Sequence, residues 1–297
     1  MEILRETSVP ATDIQYAMLK LRVARSLCLI LMMSQALAWQ AGAMQTGSGN
    51  SGTKQVNPES VASDGRMTTS HSISPISSEA STITDIRIST PARKLIVIGF
   101  MGGKIRAGNL IHSEARLIRT LQLQYPRQIQ AENFANRDGD AALRTVLQSL
   151  DEDGDGSLSE DEKKAARIVI FGHSWGASQA ITLANRLNKL HIPVLLTIQV
   201  DSVQKLNQND ERIPPNVGEA INFYQSEGLL RGRKRIFAVD PDKTKILGNH
   251  ESSYRQNPVA CTGFPWYARA FMRRHIQIEN DPAVWSQIKA LILAKVW

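Results

Sequence analysis

RIVIFGHSWGASQAITLANRLNKL, residues 167–190, decides the fold. Residues 167–171 form an apolar run rich in β-branched side chains, the composition of a buried strand. Apolar positions then recur at Ala177, Ala180, Ile181, Ala184, Leu187 and Leu190, which is a helical period. The turn between them reads Gly172-His173-Ser174-Trp175-Gly176, a GxSxG pattern in the strand-to-helix setting that pattern requires. A tight turn lifts the serine Oγ clear of both elements, and glycines two residues before and after let the backbones pass. The helix start behind Ser174 directs free N–H groups and a positive dipole end at any oxyanion formed there. A competing reading of the same serine is a plain helix N-cap.

Working outward, KLIVIGF (94–100) reads as a second buried strand and runs into Met101-Gly102-Gly103. A helix over 113–123, a strand over 128–134 and a helix over 141–150 follow. Beyond the central stretch, IPVLLTIQV (192–200) is a strand ending at Asp201. Pro214-Pro215 breaks a polar loop, a shorter strand spans 220–224, and another over 235–239 ends at Asp240. Strands alternating with helices predict an α/β fold with a mainly parallel, doubly wound sheet covered on both faces. Functional groups in such sheets gather at the carboxyl ends of the strands, which makes Asp201, Glu227 and Asp240 the candidate acids.

The elbow and its flanking elements over residues 93–297 resemble the α/β-hydrolase superfamily, in particular its lipase and esterase members. That resemblance implies a three-layer sandwich with Ser174 as nucleophile and the N–H groups of Met101 and Trp175 as an oxyanion hole. It also implies the chain order serine, acid, histidine, which leaves His250 and His275. His275 is favoured because it precedes an amphipathic terminal helix (Val284, Ile288, Leu291, Ile292), as in superfamily members. Asp201 is favoured as the acid, with Asp240 as the alternative; counting one strand later falls near Glu227. His173 is expected to be a structural neighbour. The implied activity is cleavage of a small-molecule or lipid carboxylic ester, with thioesters, amides and acyl transfer left open.

A second motif, DEDGDGSLSEDE (151–162), matches an EF-hand Ca2+ loop. Asp151, Asp153 and Asp155 supply carboxylates, Gly156 the sharp turn, Ser157 a carbonyl, Ser159 a water-mediated contact and Glu162 a bidentate carboxylate. Only about two helical turns fit between the loop and the next strand, a departure from the EF-hand pattern, and an unpaired loop is a poor sensor, so a structural ion is expected. An ion-free acidic turn is the alternative. No second copy of the loop accompanies it.

The chain has 297 residues, 42% of them hydrophobic, which is enough for a sizeable core. Residues 1–43 read as a secretory signal: Lys20, Arg22 and Arg25, an uncharged run over 26–38, then Ala41-Gly42-Ala43. Residues 44–90 are Ser/Thr/Gly-rich and read as a disordered linker. The hydrolase-like domain spans 91–297. Signal cleavage would leave Cys261 without a disulfide partner and no membrane-spanning segment. The net charge of +7 includes +1 from residues 1–43, and its one cluster, Arg231, Arg233, Lys234 and Arg235, reads as a solvated loop. No nucleic-acid motif is present. The expectation is a secreted or periplasmic monomer. The rivals are a non-catalytic calcium-binding surface protein and a lipid-surface binder.

Overall fold

The structure, a computed structural model, describes residues 93–297, so the signal and linker readings lie outside the described residues. In chain order the elements are β1 (Leu95–Met101), α1 (Ser113–Gln124), β2 (Ile129–Ala135), α2 (Gly139–Leu150), α3 (Glu160–Lys164), β3 (Ile168–His173) and α4 (Trp175–Lys189). After these come β4 (Val194–Val200), β5 (Arg212–Ile213), β6 (Val217–Tyr224), β7 (Phe237–Ala238), β8 (Lys245–Glu251), α5 (Trp266–Phe271), α6 (Arg273–Glu279) and α7 (Pro282–Leu293).

Six parallel strands form the main sheet in the order β2-β1-β3-β4-β6-β8. Alternate side chains of each central strand feed opposite faces. Leu95 and Val97 of β1 and Val169 and Phe171 of β3 join Leu117 and Leu121 of α1 and Val284, Ile288 and Ile292 of α7. Ile96, Ile98 and Phe100 of β1 and Ile168 and Ile170 of β3 join Val146 and Leu150 of α2 and Ile181, Leu183 and Leu187 of α4. Strands buried on both sides must be apolar throughout, which is why β1 and β3 were legible as continuous runs. The result is a three-layer α/β sandwich. No helix of the described residues is long and apolar enough to cross a membrane.

Two boundaries differ from the sequence reading. The expected strand over 235–239 shrinks to β7, two residues that pair with β5 outside the main sheet. The sixth strand is β8, KILGNHE, with half-buried or exposed residues throughout. An edge strand with one open side needs no apolar run, and its mixed composition hid it. β6 begins at Val217, three residues before the expected start, so much of the stretch after Pro214 is sheet.

Arg167, just before β3, donates from Nη2 to the carbonyls of Lys295 (2.6 Å) and Val296 (2.9 Å), and from Nη1 to that of Arg93 (3.2 Å). One guanidinium thus ties the residues after α7 to the starts of β1 and β3. The packing of α4 on the sheet is testable at Leu183, which is fully buried. Leu183→Ala should lower unfolding free energy by about 2–5 kcal/mol, read from the midpoint of a urea titration at unchanged slope.

Candidate active site

The site starts from a shortage of space. A Cβ on Gly172 would lie 2.4 Å from the carbonyl carbon of Gly176, and one on Gly176 would lie 2.2 Å from the Phe100 oxygen. Helix α4 therefore crosses the ends of β3 and β1 backbone against backbone. The turn that achieves this holds Ser174 at φ 56°, ψ −124°. A non-glycine residue held at such a conformation carries strain on the order of 1–3 kcal/mol. The Ser174 N–H donates to Val200 O at 2.9 Å, and the Val203 N–H donates to Ser174 O at 3.2 Å. These bonds lock the elbow to the end of the neighbouring strand β4.

The next residue of that strand is Asp201, also at positive φ (43°) and fully buried. Its Oδ1 accepts the Gln225 N–H (3.1 Å), and its Oδ2 accepts Gln225 Nε2 (2.8 Å). Oδ2 also meets His275 Nδ1 at 2.6 Å, across 74 positions of sequence. A Cβ on Gly232 would fall 2.0 Å from Oδ1, so the carboxylate has a fitted seat. With Asp201 as acceptor, the His275 proton sits on Nδ1 and Nε2 is left with a lone pair. Nε2 is buried without a hydrogen-bond partner among the described residues, and Ser174 Oγ makes no hydrogen bond to it. His275 belongs to the short helix α6, which precedes the terminal helix α7.

Asp240, the alternative acid, accepts from the Asp242 N–H (3.1 Å) and pairs with Lys243 (3.4 Å). It makes no contact with His275. Glu227 pairs with Arg255 and Arg274, each at 3.2 Å. His250 is exposed, its ring stacked on Phe223 at 5.5 Å. Burial pushes the Cys261 thiol up to about 11, helped by the Glu279 charge, so it is not a ready nucleophile.

Met101 ends β1, and Trp175 opens α4, where its N–H has no carbonyl a turn behind it. The Gly102 N–H, next in the turn, donates to Glu114 Oε1 at 3.4 Å. The Gly102 turn lies against the serine, since a Cβ there would meet Ser174 Cβ at 3.2 Å.

The sequence reading missed Gln225 and a buried polar cluster under the elbow. The His173 ring lies 4.4 Å from that of His275, tilted by 35°. His173 Nδ1 is 3.5 Å from Glu279 Oε2 and 3.8 Å from Glu114 Oε1, and Glu279 Oε1 contacts His112 Nδ1. Burial pushes Glu114 up to about 8, with the Glu279 charge adding, and burial pushes Glu279 up to about 8 as well. Burial, with the charges of His275 and His112, holds His173 well below the usual imidazole range. The one signal available was spacing: Glu279 lies four residues after His275, on the same face of a helix.

In the acidic loop, carboxylate oxygens of Asp151, Asp153 and Asp155 lie within 4.8 Å of one another. Gly156 has φ 82°, and its N–H donates to Asp151 Oδ2 at 3.0 Å. Ser157 donates from N–H and Oγ to Asp155 Oδ1 (2.7 and 2.8 Å). Glu162 lies outside the aspartate group. Its Oε1 accepts the Glu152 N–H (2.8 Å), while its Oε2 accepts the Ser159 N–H (2.8 Å) and Oγ (2.7 Å), forming a capping box on α3. Those hydrogen bonds, with Ser159 the largest, hold its carboxyl down to about 2.

No protein-family model and no curated protein matches the chain by sequence. Among solved structures it is similar to a thermostable esterase from Pseudomonas putida at 10% identity, covering 71% of this chain and 77% of that one, with TM-score 0.38. A hyperthermophilic esterase from Pyrobaculum calidifontis shows 13% identity over 69% and 77%, TM-score 0.36. An acetylxylan esterase shows 12% identity over 70% and 100%, TM-score 0.35. Likeness at this level carries no argument about chemistry, which rests on the residues described above.

The close approach at the elbow makes a sharp test. Gly176→Ala should cost about 3 kcal/mol or more, or prevent folding, because the Phe100 carbonyl belongs to a central strand and cannot retreat. Gly108→Ala, where a Cβ meets nothing within 4 Å, should change stability by less than about 0.5 kcal/mol. Equal midpoints for the two variants in a denaturant titration would contradict this account of the elbow.

Proposed function

We propose that this protein is a serine hydrolase of α/β-hydrolase type that cleaves carboxylic esters. The observation that carries the reading is the buried Asp201–His275 pair at 2.6 Å, seated beside a serine held in a strained elbow. In this reading Ser174 Oγ attacks the acyl carbonyl carbon while His275 Nε2 takes the hydroxyl proton. Asp201 holds the Nδ1–H tautomer and stabilises the imidazolium. The N–H groups of Met101 and Trp175 receive the oxyanion, each such donor worth on the order of 3 kcal/mol of barrier. Collapse of the tetrahedral intermediate expels the alcohol, which takes the proton from His275. Water then attacks the acyl-serine with His275 again as base, releasing the acid.

Exposed apolar side chains support an acyl substrate. Leu110, Ile111, Leu229, Trp266 and Phe271 are each 45% exposed or more. They lie on segments that follow β1, β6 and β8, the same end of the sheet as Ser174 and Asp201. Exposed apolar side chains at the end of the sheet that carries a polar site suit an apolar acyl chain.

The loop over 151–162 is read as a structural Ca2+ site. Support comes from the all-oxygen donor set, the convergence of three carboxylates and the positive-φ glycine at the sixth position. Asp151, Asp153 and Asp155 would hold the ion, with Ser157 and Ser159 offering oxygens and Glu162 turning inward from its capping bonds. Bound Ca2+ would offset two of the three aspartate charges and pin α2 to the approach of β3.

A fluorophosphonate should form an adduct on Ser174, located by mass spectrometry, and Ser174→Ala should abolish it with the circular dichroism spectrum unchanged. Asp201→Asn should lower hydrolysis of an activated ester by about 10⁴-fold. Calcium chelation should lower the melting temperature. No adduct on Ser174 in folded protein would overturn the hydrolase reading and favour the non-catalytic calcium-binding alternative.

A further inference from the structure

The polar cluster beneath the elbow is unlike the rest of the interior. His112 caps the start of α1, Glu114 lies in its first turn, His173 ends β3 and Glu279 ends α6. All four are nine-tenths buried or more. Ligating atoms of His112, Glu114 and Glu279 lie within 4.8 Å of one another. His173 Nδ1 sits 3.5 and 3.8 Å from an oxygen of Glu279 and of Glu114. Those separations are long for hydrogen bonds. These two match the edge of a coordination tetrahedron, in which bonds of about 2.1 Å place neighbouring ligands about 3.4 Å apart, whereas His112 Nδ1 and Glu279 Oε1 are in direct hydrogen-bond contact and would have to part to admit an ion.

Charge points the same way. Neither carboxylate pairs with a lysine or arginine among the described residues. The nearby Arg116 is occupied by the carbonyls of Leu110 and Ile111, by Ser113 Oγ and by Asn280 Oδ1. Glu114 Oε2 is buried with no hydrogen-bond partner. Two carboxylates out of water need compensation, and two imidazoles with ring nitrogens turned to them are ligands for it.

We propose that His112, Glu114, His173 and Glu279 form a buried site for a divalent transition-metal ion of the zinc class. A mixed imidazole and carboxylate set suits Zn2+, Co2+ or Mn2+, whereas Ca2+ takes oxygen ligands, so this site is chemically distinct from the 151–162 loop. His112, Glu114 and Glu279 are the mutually converging ligands, with His173 Nδ1 facing both carboxylates, and their burial makes the ion structural. It clamps α1, the end of β3 and α6 together, and through Glu114 it braces the Gly102 turn. The proposal stands whether or not Ser174 is a nucleophile.

The test uses the whole chain, stripped with a strong chelator, dialysed and returned to excess Ca2+ to saturate the acidic loop. Titration with Co2+ should develop the visible ligand-field absorption of four-coordinate, nitrogen-ligated cobalt and saturate at one equivalent. One equivalent of Zn2+ should erase it and raise the melting temperature. His112→Ala and Glu279→Gln should lose the absorption, and Asp151→Asn should keep it. If those variants fail to fold, the wild-type Zn2+ competition and its stoichiometry decide. Absence of cobalt absorption in folded wild-type protein, or absorption lost in Asp151→Asn and kept in His112→Ala, would overturn the proposal. The cluster would then be carboxyls sharing protons with two imidazoles.

Discussion

Everything near the site depends on one steric constraint, the contact of α4 with the ends of β3 and β1 at Gly172 and Gly176, with no side chain between. A backbone that close leaves no relaxed path from strand to helix, so the connecting residue is forced to positive φ. The strain at Ser174 is held in place by bonds to Val200 at the end of β4 and to Val203 just beyond it, and by the apolar face of α4, buried from Ala177 to Leu187. Stability from packing sustains a local conformation that the chain would not choose alone. Because β3 pairs with β4 in register, His173 opposite Val200, the residue after each strand arrives side by side. Ser174 and Asp201 are neighbours for that reason.

The interior divides sharply in chemistry. The body of the sheet is mainly apolar on both faces, while its carboxyl end carries a set of buried polar groups: Asp201, Gln225, His275, His173, Glu114 and Glu279. Polar groups in such surroundings gain stronger mutual interactions and lose hydration, so each must be matched. Asp201 is matched three times over, by Gln225 twice and by His275. Glu114 and Glu279 are matched less completely, and that imbalance marks the region as more than packing.

How much of this was legible in the sequence follows from the same division. Continuous apolar runs announce β1, β3 and β4, because a two-sided sheet demands them, and the helices show in the 3.6-residue period. The serine elbow and the acidic loop were legible because glycines and carboxylates fall at fixed offsets. Strand β8 was not, since an edge strand tolerates Lys245, Asn249 and Glu251 in its short span. Glu114 and Glu279 were not, because a glutamate in a helical pattern ordinarily faces water and only tertiary packing turns it inward. Asp201 and Asp240 looked alike as strand-end aspartates. The difference lies in what surrounds them, a seat made by Gln225 and Gly232 for one and a solvent-facing turn for the other.

The placement of α7 bears on how the chain is made. That helix covers one face of β1 and β3 with Val284, Trp285, Ile288 and Ile292, and the Arg167 guanidinium waits for the carbonyls of Lys295 and Val296. During vectorial synthesis the first strands emerge long before their cover does. The part of this face that α1 leaves uncovered therefore stays open to solvent until α7 has been translated, a window in which an apolar sheet face is free to find the wrong partner.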